Sequence, residues 1–352
     1  MKSSFSYTPV GQMFLYVLTQ VNFLLSLLIV FHHGFTTNVD FNGSFLPSAY
    51  GTTVAIERYM YNLSECAVPV FFFISAYLFY RTFDGTWINY KEKMKRRFRS
   101  LLVPYLIFCT LGYVKSLVFN GGLGGGNLAD FLLSLWECNT MPLWFIRELM
   151  ALSLLAPIIW KLLRIPIWAV IICAIIIVLT CLGLVPYRSF MYWIPVYMMG
   201  AALNSKIANE VLNLRQVSRN YIGIIAVSCY FVVAWFLPNG IARQEMTIGQ
   251  NSAFAFFRLI SPIIWMVIIG WLSMVTVKEY RFMRYSFFVY CMHAPIITLL
   301  TLIYTKTMTR LIDIEIVQYF AVIVGTYSFC VLLAVVLQRY TPWLWSILNG
   351  KR

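Results

Sequence analysis

The chain has 352 residues, of which 61% are hydrophobic and 11% charged, with a formal net charge of +14 and a mean hydropathy of +0.76. Soluble domains average about 45–50% apolar and about 25% charged, so this chain has too little charge to cover a water-facing globule, and disorder, a collagen-like rod and a disulfide scaffold are excluded as well. The excess Lys and Arg fall in short segments between apolar runs, the pattern of membrane topology and not of a nucleic-acid-binding stripe.

Runs of about 20 apolar residues mark membrane helices. In chain order they are 13–35, 66–83, 101–119, 141–163, 167–184, 190–204, 221–238, 253–277, 285–304 and 316–338. The expected fold is all-α: a polytopic integral membrane protein of about ten transmembrane helices. It forms a single domain, 1–352, with both termini cytoplasmic and a short tail over 339–352. In that orientation 18 Lys and Arg lie in inner segments against 5 outside, as positive-inside topology requires. The first run lacks a small-residue cleavage site and reads as a retained helix. Segments 36–64 and 120–140 are expected to be flexible outer loops, the second with glycine runs at 121–122 and 124–126. Within it, NLADFLLSLWEC (127–138) is too short to span and reads as an interfacial amphipathic helix. The sixth run is short and carries Pro195 and Gly200. The eight Cys show no CxxC or Cys/His spacing and read as small core hydrophobes, so no metal is expected.

A charge at the centre of a hydrocarbon layer costs on the order of 3 kcal/mol or more, so ionisable groups in apolar runs are functional candidates. They are His32, His33, Glu65, Lys115, Arg147, Glu148, Arg258 and His293. Lys115, Glu65 and Arg258 lie near run ends, where snorkelling to the interface is the plainer expectation. Arg147 and Glu148 sit in PLWFIRELM, apolar on both sides. His293 is placed lower than the others, toward the midplane or the cytoplasmic side. Positions eleven apart return to one face of a helix. Thr19, Asn22, Ser26 and His33 therefore form a polar stripe, while His32 shares its face with Val21, Leu25 and Leu28. His33 is preferred over His32 as the group facing a polar interior; a simple helix–helix hydrogen bond is the plainer use of such a residue.

Five stretches carry a resemblance: NFLLSLLIVFHHGF (22–35), AVPVFFFISAYLF (67–79), KRRFRSLLVPYLIF (95–108), PLWFIREL (142–149) and YSFFVYCMHAPI (285–296). In this order they resemble the integral-membrane acyltransferase 3 proteins, which O-acylate cell-surface glycans in bacteria. Two positions depart from that pattern: Asn22 stands where an Arg is usual eleven residues before the His, and Ala76 follows Ser75 where a Gly is usual. The resemblance implies a multi-pass enzyme of the bacterial cytoplasmic membrane, in contact with membrane lipids and not with nucleic acid. It would move an acyl group, most simply acetyl, from acyl-CoA to a hydroxyl of a surface polysaccharide or lipid-linked glycan. Histidine suits removal of the hydroxyl proton because its pKa is near neutrality. This makes His33 the candidate base, His32 the runner-up, Glu148 the orienting acid and Arg147 the oxyanion partner. Lys95, Arg96, Arg97 and Arg99 are candidates for the CoA phosphates, although topology and anionic lipid explain a basic cluster equally well. Asn22, Ser26, Ser75, Trp144, Arg258 and His293 are the substrate-binding candidates. The competing reading is a transporter or exporter of a glycan or acyl-carrying small molecule; Pro-interrupted runs fit it, but no internal repeat is visible.

Overall fold

The computed structural model describes residues 17–34, 52–119, 127–138, 141–203, 221–238, 246–274, 279–308 and 314–350. The expected loop over 36–51 and the glycine runs at 121–122 and 124–126 lie outside the described residues. Every regular element among those described is helical. The first half of the chain forms α1 (Leu18–His33), α2 (Thr52–Ser64), α3 (Ala67–Tyr80), α4 (Trp87–Arg97), α5 (Val103–Phe119), α6 (Leu128–Glu137), α7 (Trp144–Leu154) and α8 (Ala156–Leu162). The second half forms α9 (Pro166–Cys181), α10 (Phe190–Ala202), α11 (Tyr221–Phe236), α12 (Ile248–Met274), α13 (Ser286–Ile303), α14 (Glu315–Tyr340) and α15 (Pro342–Leu348).

A helix occupies each of the ten apolar runs. Five helical stretches are long and apolar enough to cross a membrane: Ala55–Tyr80, Trp87–Val118, Ile248–Ser273, Arg281–Thr307 and Glu315–Tyr340. α8 and α9 pass the same test together but are bent by 117°. The run at 141–163 is not one helix. Pro157 offers no N–H to the carbonyl of Ser153, and the helix breaks at Leu155 between α7 and α8. The eleven residues of α7 rise only about 16 Å, about half the hydrocarbon thickness of a bilayer.

Two polar-looking segments are more ordered than the sequence suggests. Residues 52–64, read as part of an outer loop, form α2, which buries Glu57, Asn62 and Ser64. The Asn62 side-chain amide donates to the carbonyl of Ala234 on α11 at 2.8 Å, so the polar residues of α2 point into the bundle. Part of the expected tail forms α15, whose Trp345 packs on Tyr285 (5.4 Å between ring centres) and Phe288 (5.3 Å). The amphipathic segment at 127–138 is α6, capped by the Asn127 side chain accepting from the N–H of Asp130 at 2.8 Å.

At one end of the bundle, Asp84 accepts from both the N–H and the hydroxyl of Thr86, which holds its carboxyl below the usual carboxylate range, and Thr86 then caps α4. α4 passes into α5 through a π-helical turn at Phe98–Leu102, closed by the Val103 N–H on the Phe98 carbonyl.

α10 lies against α3 more closely than side chains normally allow. Gly200 faces the backbone of Phe73, and a Cβ added there would overlap the Phe73 carbonyl. Small residues at such contacts let helices approach when no hydrophobic drive separates protein from lipid. The same contact stacks Phe72 on Trp193 at 5.0 Å. A second core joins α1, α13 and α14 through Val30, Val289, Val322, Ile323 and Tyr327. Overpacking a close contact costs about 1–3 kcal/mol. Gly200→Ala is therefore expected to lower the unfolding midpoint in detergent, and Gly200→Val to lower it further. An unchanged midpoint for Gly200→Val would show that α3 and α10 do not meet this way.

Candidate functional site

The chain contains three histidines, and the packing of α1 between α2 and α13 gathers all of them. The rings of His32 and His33 are 4.9 Å apart, and those of His33 and His293 are 5.1 Å apart. His293, expected lower in the membrane, stands level with His33. Phe282, just before α13, packs edge-on to Phe23 of α1 at 5.3 Å. From Phe23 to His33 the helix rises about 15 Å, and from Phe282 to His293 about 17 Å, so the two parallel helices carry their histidines to the same height.

Each histidine has a different environment. His32 stacks on Tyr61 of α2 at 4.2 Å, and its Nδ1 lies 2.7 Å from the Ser64 hydroxyl. Ser64 donates its one hydroxyl hydrogen to the Tyr61 carbonyl at 2.5 Å, so it accepts from His32, and Nδ1 of His32 carries a proton. His293 is 0% exposed. Its Nδ1 donates to the Tyr290 carbonyl at 2.7 Å, and its Nε2 has no hydrogen-bond partner among the described residues. Pro295 in the same turn has no N–H for the Cys291 carbonyl, which loosens the helix there. His33 sits between these two rings.

Glu57 was missed because its segment reads as a loop. It is fully buried, and Glu57, Tyr61 and Ser64 share one face of α2 at i, i+4 and i+7. It also lies close enough to Tyr319 for an electrostatic interaction, and the Tyr319 hydroxyl donates to the Phe31 carbonyl at 3.4 Å. Glu57 is thus buried on the face of α2 that carries Tyr61 and Ser64, beside Tyr319 of α14.

The rest of the helix 1 stripe leads away from the histidines. The Ser26 hydroxyl donates to the Phe23 carbonyl at 2.8 Å and meets the Tyr327 hydroxyl at 3.2 Å. Asn22 and Thr19 line a cavity at the other end of α1.

Glu148 bonds to Arg147, whose Nε donates to it at 2.6 Å. Arg147 also donates to the carbonyls of Trp136 and of Arg188, the latter at 3.0 Å. Among the described residues no hydrogen bond or ion pair joins Glu148 to His33. The two segments are linked indirectly, through the Tyr290 hydroxyl on the Pro142 carbonyl at 3.1 Å.

Glu65 and Arg258 do not reach the interface. Their side chains are 1% and 6% exposed and form a salt bridge at 2.7 Å. Arg258 also donates to the Tyr192 hydroxyl at 2.7 Å and lies over the Tyr187 ring at 4.3 Å, while Tyr187 donates to Glu65 at 3.4 Å. Trp144 packs against Tyr187 at 5.0 Å, which ties this pair to the start of α7. The ends of runs are interfacial only where no neighbouring helix covers them, and here α12, α3 and the 187–192 segment do.

The basic segment is divided. Lys95, Arg96 and Arg99 are exposed. Arg97 folds inward, donating to the Ser75 carbonyl at 2.9 Å and lying over the Phe79 ring. Beside it Lys93 caps the last turn of α3, donating to the Phe79 carbonyl at 2.8 Å. Ser75 is therefore at this end of the bundle, away from the histidines. Among the described residues no group of three or more His, Cys, Asp or Glu is arranged to hold a metal ion.

A family model described as an acyltransferase domain matches residues 18–335, from the start of α1 into the last turns of α14. No curated protein and no solved structure matches the chain.

Breaking a buried ion pair costs about 3–5 kcal/mol because the surviving charge is stranded, whereas replacing both partners by apolar groups is often tolerated. Glu65→Leu and Arg258→Met are each expected to lower the unfolding midpoint strongly, and the double substitution to recover much of the loss. A double-mutant cycle in detergent measures this; purely additive losses would show the two charges are uncoupled.

Proposed function

This chain belongs to the acyltransferase 3 family, and on that premise we propose that it moves an acetyl group from a CoA thioester to a hydroxyl of a surface polysaccharide or lipid-linked glycan. The observation that carries the reading is the placement of His33 between His32 and His293. In the reaction His33 takes the proton of the acceptor hydroxyl as that oxygen attacks the thioester carbonyl. The tetrahedral intermediate collapses, the C–S bond breaks, and the departing thiolate takes the proton back. His293, with its Nδ1 proton committed to a carbonyl, offers its Nε2 lone pair to an N–H of His33, which fixes the tautomer that leaves the other His33 nitrogen free as the base. Arg147, whose side chain is 19% exposed, meets the developing oxyanion or an acceptor phosphate.

The same reading places about ten spans in the bacterial cytoplasmic membrane with both termini inside. The donor then arrives at the end of the bundle that carries Lys95, Arg96 and Arg99, and the histidines lie toward the outer face.

Loss of a general base costs about 10²–10⁴-fold. With purified protein, labelled acetyl-CoA and candidate glycans, His33→Ala is expected to lose transfer by that factor, while His32→Ala keeps a large part of it. Both variants must insert normally for the comparison to count. An active His33→Ala with an inactive His32→Ala would move the reactive face of α1 by about 100°. Glycan movement without covalent acylation would instead support the exporter.

The topology has its own measurement. Single cysteines introduced at positions 91–99 are expected to resist membrane-impermeant reagents in intact cells. Efficient labelling from outside would invert the proposed orientation.

A further inference from the structure

We infer that α6 is one half of a discontinuous membrane span, completed by α7, and that its exposed row Leu128, Leu132 and Trp136, with Leu133 beside it, is a contact surface for phospholipid acyl chains. This holds whatever reaction the chain performs.

An amphipathic helix lying in the membrane plane crosses a spanning helix at one point. α6 touches α5 at both of its ends. Near its start, Phe131 packs edge-on to Tyr113 at 5.3 Å, and the Tyr113 hydroxyl donates to the Asn127 carbonyl at 3.5 Å. At its end, the Tyr105 hydroxyl donates to the Leu135 carbonyl and lies 3.0 Å from Cys138 Sγ. Tyr105 and Tyr113 are about 12 Å apart along α5, so the two helices run antiparallel. α5 belongs to the stretch Trp87–Val118, long and apolar enough to cross a membrane, and both tyrosines lie inside it. α6 is therefore beside the spanning part of α5 and not across its end.

α7 continues in the direction of α6. α5 starts at the end of the bundle that carries α4, so α6, antiparallel to it, runs toward that end. α7 begins where the Pro142 carbonyl accepts from the Tyr290 hydroxyl at 3.1 Å, and Phe145 packs edge-on to Phe72 at 4.6 Å. It finishes where the Leu154 carbonyl accepts from Tyr90 of α4 at 3.1 Å, just before the Ala156 carbonyl accepts from Tyr80 at 3.0 Å. α6 rises about 15 Å and α7 about 16 Å. Placed in series they match a hydrocarbon layer about 30 Å thick, which α7 alone does not.

A helix broken inside a membrane leaves carbonyls that lipid cannot satisfy. Three side chains from three helices meet that need here. Tyr105 of α5 donates to the Leu135 carbonyl, Arg147 of α7 to the Trp136 carbonyl, and Tyr290 of α13 to the Pro142 carbonyl. Cys138 ends α6 in the left-handed region, at a φ of 53°, with its N–H on the Ser134 carbonyl. The Arg147 charge also lies at the negative end of the α6 dipole. At an interface, water would serve these carbonyls without such partners.

The occupant of the outer row follows from its continuity with α5. Leu111, Val114 and Val118 share one exposed face of that spanning helix, so lipid meets it. On α6, Leu128, Leu132 and Trp136 recur at every fourth residue, and with Leu133 they are 50–72% exposed. Ser134 and Cys138 are buried on the side toward α5. Asp130 and Glu137 lie about 140–160° round the helix from Leu132, and Glu137 is engaged within the protein, so the row itself carries no charge.

The test uses the full chain in phosphatidylcholine vesicles with Cys173, Cys181 and Cys229 changed to alanine; the other five cysteines are buried. A nitroxide is attached in turn to Leu128→Cys, Leu132→Cys, Leu133→Cys and Trp136→Cys. Electron paramagnetic resonance reads its collisions with oxygen, which partitions into acyl chains, and with a water-soluble nickel chelate. Oxygen is expected to dominate at 132, 133 and 136. Position 128 should be the shallowest, 132 about 6 Å deeper, and 136 the nearest to the bilayer centre. Equal depth at 128, 132 and 136 would overturn the half-span, because a helix in the membrane plane keeps one face at one depth. Chelate-dominated collisions at 132 or 136 would overturn the lipid contact. Trp136 lies 5.3 Å from the Arg147 guanidinium. Should its replacement fail to fold, 128 and 133 carry the same comparison, with an expected difference of about 7.5 Å. None of these measurements requires acyl transfer, so an inactive protein with the depth gradient refutes the proposed reaction alone.

Discussion

The contact of α1 with α2 on one side and α13 on the other is the constraint on which the site depends. A helix in lipid satisfies its own backbone, so its position is set by side chains alone. Here Phe23 against Phe282 sets the height of α13, and His32 against Tyr61 and Ser64 sets the rotation of α1. With height and rotation fixed, His33 has one place to be, beside His293. The cluster is thus a by-product of two aromatic contacts made by Phe23 and His32 and not by the His33 ring itself.

The interior handles its other polar groups by pairing them at a distance. Glu65 and Arg258 are 193 residues apart in the chain and 2.7 Å apart in space. Tyr187 and Tyr192 close the guanidinium from the sides, so the charge is neutralised by one carboxylate and faced by aromatic surface. Arg97 and Lys93 are used differently, as donors to carbonyls in the second half of α3, Ser75 and Phe79. Both solutions follow from the same rule that a buried donor must find an acceptor within the protein.

Much of the helical layout was legible in the sequence because apolar runs and their punctuation are local. Asn127 before an amphipathic stretch, and the 100° separation of His32 from His33, could be read without tertiary information. Other features could not. Glu57, Arg58 and Asn62 make residues 52–64 look like solvent-facing loop, and only the docking of α2 against α11 shows that its polar face is inward. The Glu65–Arg258 pair has no signature at either residue. The break at Leu155 has its cause in Pro157, yet the apolar content on both sides hides it. The height of His293 depends on where α13 begins relative to α1, a quantity fixed by one ring contact and absent from any single run.

The π-helical turn at Phe98–Leu102 has a geometric consequence for the basic helix before it. One extra residue in the turn offsets the azimuth of α4 from that of α5 by about 100°. The cationic side of α4 and the apolar side of α5 are thereby oriented independently, one toward the water boundary and the other toward the bundle. A chain one residue shorter here would wind both helices as a single continuous rod. The inward-folded Arg97 and the exposed Arg96 and Arg99 would then all swing around the axis together, and the carbonyls ending α3 would lose their cationic cap. The turn works as a phase shifter between a surface helix and a membrane helix.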